Sequence, residues 1–179
     1  MHLFIHGGYW HRFSKNEFSF VARAFQPAGA AVVVISYALI PTADMDELVR
    51  QCRAAVAWVY RNAGLPADVV KAVCGFSGLY DLEPIRLCYL NDVLNLTPEV
   101  ALRNSPVHLV PNTPRSTLIA VGSDEGPEYY RQSADLVAAW RKQGVPCELM
   151  DMAGHNHFSI VAELERPDSQ LSHAILARM

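Results

Sequence analysis

Apolar residues in this chain form two kinds of pattern, short continuous runs and longer stretches with helical spacing. The runs predict five buried strands, at His2–Ile5, Ala31–Ser36, Val69–Cys74, Thr117–Val121 and Cys147–Met150. Because these runs are continuously apolar rather than alternating, we expect helices to cover both faces of the sheet, as in parallel sheets.

The longer stretches have an apolar residue at every third or fourth position, which is typical of amphipathic helices. One helix is predicted from about Asp44 to Asn62, because Asp44 and Glu47 form a capping-box pattern at its start. A second is predicted over Glu128–Gln143, with Gly144 in the C-terminal capping position. Shorter helices are predicted over Lys15–Phe25, Phe158–Leu164 and Gln170–Arg178.

The alternation of strands and helices predicts an α/β fold with a mainly parallel sheet. No repeat, low-complexity tract or linker interrupts the 179 residues, so we expect a single domain over 1–179. Apolar residues make up 51% of the chain and charged residues 18%, the balance of an ordinary globular domain. The net charge of -3 favours no nucleic-acid partner.

The sequence shows no apolar stretch of membrane-spanning length, and its apolar start is too short for a signal peptide. We therefore expect a cytoplasmic location and no membrane partner. The four cysteines match no zinc or redox spacing, so they predict no metal site. No residue pattern indicates the number of subunits.

Chemistry is first suggested by the turn that follows the first strand. Paired glycines there allow backbone N–H groups to approach a reacting carbonyl oxygen, as in the oxyanion hole of lipases and esterases. Gly7, Gly8 and Tyr9 are the candidates for this role, and Tyr9 and Trp10 are candidates for the wall of an apolar substrate pocket. The alternative interpretation is a simple tight turn.

An acid and a histidine follow two later strands. Asp124 comes just after the Thr117 strand and His157 comes after the Cys147 strand, so both should emerge at the C-terminal edge of the sheet, where ligands bind. In that arrangement His157 would move the proton and Asp124 would orient its ring. Each residue also has an alternative interpretation. Asp124 can be a turn residue. His155 and His157 can be part of a metal site.

Several segments together resemble the kynurenine formamidase (arylformamidase) branch of the α/β-hydrolases. They occur in the family's order and span nearly the whole chain: His6–Trp10, Phe18–Ala22, Ile35–Tyr37, Ser77–Leu82, Asn104–Pro106, Asp124–Glu128 with Arg131–Ser133, and Asn156–Phe158. The resemblance implies that Asp124 is the triad acid and His157 the triad base. It further implies hydrolysis of an aryl-formamide (N-formylkynurenine, in tryptophan catabolism) or a small ester, with a small-molecule substrate and no cofactor.

The nucleophile is missing from this resemblance. An α/β-hydrolase carries its serine in Gly-x-Ser-x-Gly at a strand-to-helix turn, and this sequence has no such pentapeptide. Where the family has a strand, the elbow and a helix, this chain has only Ala63–Asp68, and Met1 falls inside the family's third strand. We therefore predict an incomplete α/β-hydrolase fold that lacks the first strands and the nucleophile strand and helix.

Ser77 is a candidate substitute nucleophile, because it follows an apolar strand and lies between Gly75 and Gly78. Its surroundings, however, have Leu79 where the last elbow glycine belongs and match a non-nucleophilic block of the family. Three hypotheses remain open: a formamidase or esterase that uses an acyl-enzyme, a non-catalytic remnant or binding protein, and a metal-assisted hydrolase that uses His155 and His157. Without an elbow serine, we expect hydrolysis to be absent or severely impaired.

Overall fold

The structure is a computed structural model that describes residues 1–64, 70–112 and 114–179. These residues form five strands, all paired in parallel, in two sheets. In the first sheet β1 (His2–Ile5) pairs with β2 (Val32–Ile35). In the second, β4 (Ser116–Gly122) lies between β3 (Ala72–Phe76) and β5 (Cys147–Met152). The predicted parallel α/β architecture is confirmed.

Helices connect the strands. The described residues contain α1 (Ala22–Phe25), α2 (Met45–Asn62), α3 (Glu83–Arg86), α4 (Asn91–Leu94), α5 (Pro98–Arg103), α6 (Pro127–Lys142), α7 (Ser159–Ala162) and α8 (Gln170–Leu176). Short 3₁₀ turns lie at Ser19–Val21, Gln26–Ala28, Pro106–His108 and Glu163–Glu165. In the described part of the chain, none of these helices is both long enough and apolar enough to cross a bilayer.

The two long helices, α2 and α6, begin at residues that favour a helix N-terminus. The Asp44 carboxylate accepts a hydrogen bond of 2.8 Å from the Glu47 N–H and caps α2, as the capping-box pattern predicts. Helix α6 begins one residue earlier than predicted, because Pro127 occupies its first turn. The helix predicted over Lys15–Phe25 is shorter, since Phe18 has a non-helical backbone and separates it into turns.

Strand β3 lies slightly later than predicted. It ends at Phe76 rather than Cys74, because its ladder with β4 continues to the pair Phe76 and Ala120. Val69, where the predicted strand began, lies outside the described residues, as do positions 65–68 of the short segment between α2 and β3.

One hydrophobic core connects the two sheets. Phe4 of β1 and Leu118 and Ala120 of β4 are buried in the same cluster, although no ladder joins β1 to β3 within the described residues. The rings of Phe4 and Phe76 stack with their centroids 6.0 Å apart, so side-chain packing joins the two sheets. This packing sets the position of the turn after β1 relative to the loops after β4 and β5.

The histidine at the start of β1 should make stability depend on pH. His2 stacks on Phe25 at 4.3 Å and its Nε2 is buried without a partner among the described residues. Burial first, and the charged N-terminus second, lower the pKa of His2 from 6.5 to about 4. The unfolded chain therefore binds the proton first, and stability is lost as the pH falls from 6.5 towards 4.

The loss from this one group is at most about 3 kcal/mol. We expect the variant His2→Phe, which keeps the stacking on Phe25, to lose less stability than the parent protein over this pH range. Urea unfolding at several pH values measures the slope directly. Equal slopes for the two proteins would show that His2 is not the group responsible.

Candidate active site

The acidic part of the site is the turn that follows β4. Glu125 folds back so that its N–H donates to the Gly122 carbonyl at 3.2 Å, and its Oε1 accepts the Gly122 N–H at 2.8 Å. The Glu125 side chain is completely buried. Asp124, by contrast, is exposed, and its carboxylate accepts a hydrogen bond of 2.9 Å from the Ser123 hydroxyl.

The histidine is carried by the loop after β5, which crosses directly over Gly122. A Cβ atom at Gly122 would lie 2.1 Å from the backbone oxygen of His155, so only glycine permits this crossing. The Asp124 N–H donates to the same His155 oxygen at 3.0 Å. These contacts place His157 beside the acidic turn.

The carboxylate that meets His157 belongs to Glu125. The Nδ1 of His157 lies 2.9 Å from Glu125 Oε2, and because an ionised carboxylate only accepts hydrogen bonds, Nδ1 carries the proton. The structure thus corrects the expected partnership of Asp124 with His157. Asp124 holds the loop through its backbone, and the neighbouring residue supplies the side chain. Both residues follow the same strand, so only the conformation of the turn decides which carboxylate points inward.

The turn after β1, where the oxyanion hole was predicted, has an unusual backbone. Gly8 has φ +121°, and a Cβ there would lie 2.3 Å from the Arg12 carbonyl oxygen. Tyr9 and Trp10 follow with left-handed φ values of 48° and 62°. Among the described residues, nothing accepts a hydrogen bond from the backbone N–H groups of Gly7, Gly8 or Tyr9. These donors are therefore available to a bound ligand.

Tyrosine side chains join this turn to the histidine. The Tyr9 hydroxyl shares a hydrogen bond with the Tyr129 hydroxyl, and the two rings lie 6.4 Å and 4.7 Å from the His157 ring. Burial, followed by this hydrogen bond, raises the pKa of Tyr129 well above its ordinary value, so its hydroxyl stays protonated at neutral pH. Phe158 meets His157 edge-on, with ring centroids 5.7 Å apart, and is 76% exposed.

Trp10 and Ser77 make contacts that the sequence did not indicate. Trp10 packs against a buried cluster that includes Ile40 and Leu82. Its backbone oxygen accepts the Ile40 N–H at 3.0 Å, so it anchors the turn. Ser77 directly follows β3, and its hydroxyl donates to Glu125 Oε1 at 2.6 Å. It therefore contacts the acid and not the imidazole.

His155 and His157, the candidates for a metal site, have different surroundings. Within residues 1–64, 70–112 and 114–179, no three His, Cys, Asp or Glu side chains converge in a way that could hold a metal ion. His155 Nδ1 is buried without a partner there, while Nδ1 of His157 is occupied by Glu125.

Comparison with known proteins identifies the family. The chain is 32% identical to the kynurenine formamidase of Salmo salar over 211 residues, which cover 99% of this chain and 72% of the relative. It belongs to the kynurenine formamidase family. The Danio rerio kynurenine formamidase is 31% identical and matches 97% of this chain and 71% of its own length. No protein-family model matches the chain.

Solved structures show that this family member has the α/β-hydrolase fold. A proposed thioesterase from Silicibacter sp. TM1040 superposes with a TM-score of 0.84 at 26% identity and covers 97% of this chain and 74% of its own. Carboxyl esterase 2 of Tuber melanosporum shares the fold with a TM-score of 0.77 at 17% identity, over 97% and 74% of the two chains. The resemblance to formamidases and esterases predicted from the sequence is confirmed.

The alignment also shows that this family member is shorter internally than its relative. The aligned region with the Salmo salar protein has 211 positions and this chain has 179 residues, so at least 32 aligned positions have no counterpart here. Glu125, whose carboxylate contacts His157, is the residue of the candidate site that the sequence did not single out. Glu125 is adjacent to Asp124 in the sequence, shortly before Pro127 and Glu128. This pattern does not show which of the two carboxylates points inward.

Proposed function

We propose that this protein binds aryl-formamides or small aryl esters at the Glu125–His157 pair but does not form an acyl-enzyme with them. The observation that carries the proposal is the arrangement of hydrogen bonds. In a serine triad the imidazole lies between the hydroxyl and the acid, whereas here the acid lies between Ser77 and His157. No hydroxyl or thiol of the described residues donates to His157 Nε2.

The retained groups suit an acyl compound. His157 is a base whose tautomer is set by a buried carboxylate, and its side chain is 36% exposed, so a ligand or water can reach the ring. The unpaired N–H groups of Gly8 and Tyr9 lie on the turn whose tyrosine ring adjoins His157. Together they supply a base and hydrogen-bond donors for a polarised carbonyl oxygen.

Aromatic rings supply the rest of the site. Tyr9, Tyr129 and Phe158 surround the imidazole at ring-centroid distances between 4.7 and 6.4 Å. An aromatic ring on the substrate would pack against these side chains, which favours aryl compounds over aliphatic ones. The relatives are named kynurenine formamidases. The substrate class we propose is therefore an N-formylated arylamine of tryptophan catabolism, and the proposed compartment is the cytoplasm.

Any remaining hydrolysis would use water directly. His157 Nε2 would take a proton from a water molecule as its oxygen attacks the acyl carbon, and would return the proton to the departing arylamine or aryloxide. Removal of the nucleophile from a serine triad lowers kcat by about 10⁶-fold. We expect a deficit of that order relative to a serine hydrolase with an intact triad.

The test separates binding from turnover. Purified protein is mixed with N-formylkynurenine and with p-nitrophenyl acetate, and then with a fluorophosphonate probe. We expect saturable quenching of tryptophan fluorescence by N-formylkynurenine, no burst of p-nitrophenol and no serine adduct by mass spectrometry.

His157→Gln should remove the residual turnover, whereas Asp124→Asn should leave it unchanged. A stoichiometric burst with an adduct on one serine would refute the proposal, and so would absence of binding.

A further inference from the structure

Ser77 has a backbone conformation that a serine adopts at a cost. It directly follows β3, its N–H donates to the Ala120 oxygen at 2.9 Å, and its φ is +50°. Left-handed φ values are common for glycine and asparagine but disfavoured for other residues. The next residue is Gly78. The turn is therefore built around a serine where a residue without a Cβ would be less strained.

Within the described part of the chain, the hydroxyl of Ser77 has one acceptor, the buried Glu125 carboxylate. Glu125 Oε1 accepts the Ser77 hydroxyl at 2.6 Å and the Gly122 N–H at 2.8 Å, which leaves Oε2 for His157. Ser77 is only 9% exposed, and the Glu125 side chain is fully buried. Water is thus a poor substitute for the serine, and the two donors fix the plane of the carboxylate.

We propose that Ser77 is a positioning residue, which orients the Glu125 carboxylate so that its second oxygen faces the imidazole. The terminal torsion of a glutamate is broad and has no strong preference of its own. With only the Gly122 N–H on Oε1, the carboxylate can rotate about that torsion and weaken its hold on His157. This proposal rests on the proposed role of the acid–histidine pair, and it gives Ser77 a role different from that of a nucleophile.

The test observes the imidazole itself, so its result does not depend on whether any substrate binds. A His157 Nδ1–H held by a buried carboxylate should give a distinct proton resonance that exchanges slowly with water, and His157→Gln assigns it. We expect exchange of this proton to be at least about tenfold faster in Ser77→Ala, as for loss of a hydrogen bond to a charged group. Ser77→Gly should show the same acceleration.

Two comparisons separate orientation of the acid from general loosening of the fold. Ser77→Gly removes the Cβ and relieves the left-handed strain, so it should melt at least as high as Ser77→Ala and still lose the slow proton. Ser133→Ala is the matched control, because Ser133 is a fully buried serine whose hydroxyl has no partner among the described residues. It should leave the resonance unchanged.

The proposal fails if either Ser77 variant retains the exchange rate of the parent protein. It also fails if the parent shows no protected Nδ1–H resonance, because the pair that Ser77 is said to orient would then not exist. A failure of the proposed function would look different, since a protein that binds no aryl-formamide can still show the protected resonance and its loss in the variants.

Discussion

Replacement of Glu125 by alanine is expected to destabilise the protein by about 2–4 kcal/mol, whereas Asp124→Asn should change stability by less than about 0.5 kcal/mol. The Glu125 carboxylate is buried and receives three hydrogen bonds, from Ser77, Gly122 and His157. Its removal leaves these donors without an acceptor in a space closed to solvent. Asp124 is exposed, and among the residues that the structure describes its side chain bonds only to the neighbouring Ser123.

Comparison of the Glu125 and Asp124 variants tests which of the two carboxylates pairs with His157. Urea unfolding gives the free energies, and the slowly exchanging proton on His157 Nδ1 reports on the pair. We expect Glu125→Ala to lose both stability and the resonance, and Asp124→Asn to retain both. Glu125→Gln should fall between them, since its amide keeps one acceptor but turns a donor towards Ser77 or His157. The reverse ranking of Glu125 and Asp124 would restore the partnership expected from the sequence.

The adjacency of the two acids shows where sequence reasoning reached its limit. Within the described residues, hydrophobic runs and capping signals indicated the five strands and both long helices, because these patterns reflect burial and local hydrogen bonding that extend over many residues. The choice between Asp124 and Glu125 depends on one turn, in which the Glu125 N–H reaches back to Gly122 at 3.2 Å. A shift of one residue there exchanges an exposed carboxylate for a buried one.

Ser77 illustrates the same limit in a different way. The sequence showed a serine after an apolar strand with glycines on either side, a pattern that fits a nucleophile and also fits a supporting residue. What distinguishes the two is the partner of the hydroxyl, which lies 48 residues away in the chain, at Glu125. Contacts of this kind depend on the packing of β3 against β4, and neither composition nor spacing reports them. The predicted position of His157 needed no such contact, because its place after β5 was sufficient to put it at the sheet edge.

The two glycines of the turn after β1 provide a prediction with an internal control. Gly8→Ala should destabilise the protein by about 2–4 kcal/mol, because Gly8 has φ +121° and an added Cβ would lie 2.3 Å from the Arg12 oxygen. That oxygen is backbone and cannot move aside without shifting the turn. Gly7→Ala places its Cβ in open space at an ordinary φ, so its cost should stay below about 1 kcal/mol.

The same pair of variants tests whether the turn is held in shape by its neighbours. Tyr9 and Trp10 adopt left-handed conformations that cost about 1 kcal/mol each, and the contacts of Tyr9 with Tyr129 and of Trp10 with Ile40 offset that strain. A shifted turn in Gly8→Ala would break these contacts, so we expect the tryptophan fluorescence of the folded state to change in Gly8→Ala and not in Gly7→Ala. Equal destabilisation by the two variants would mean that the Gly8 conformation is not required, and the N–H groups of this turn would then lack the fixed geometry on which an oxyanion hole depends.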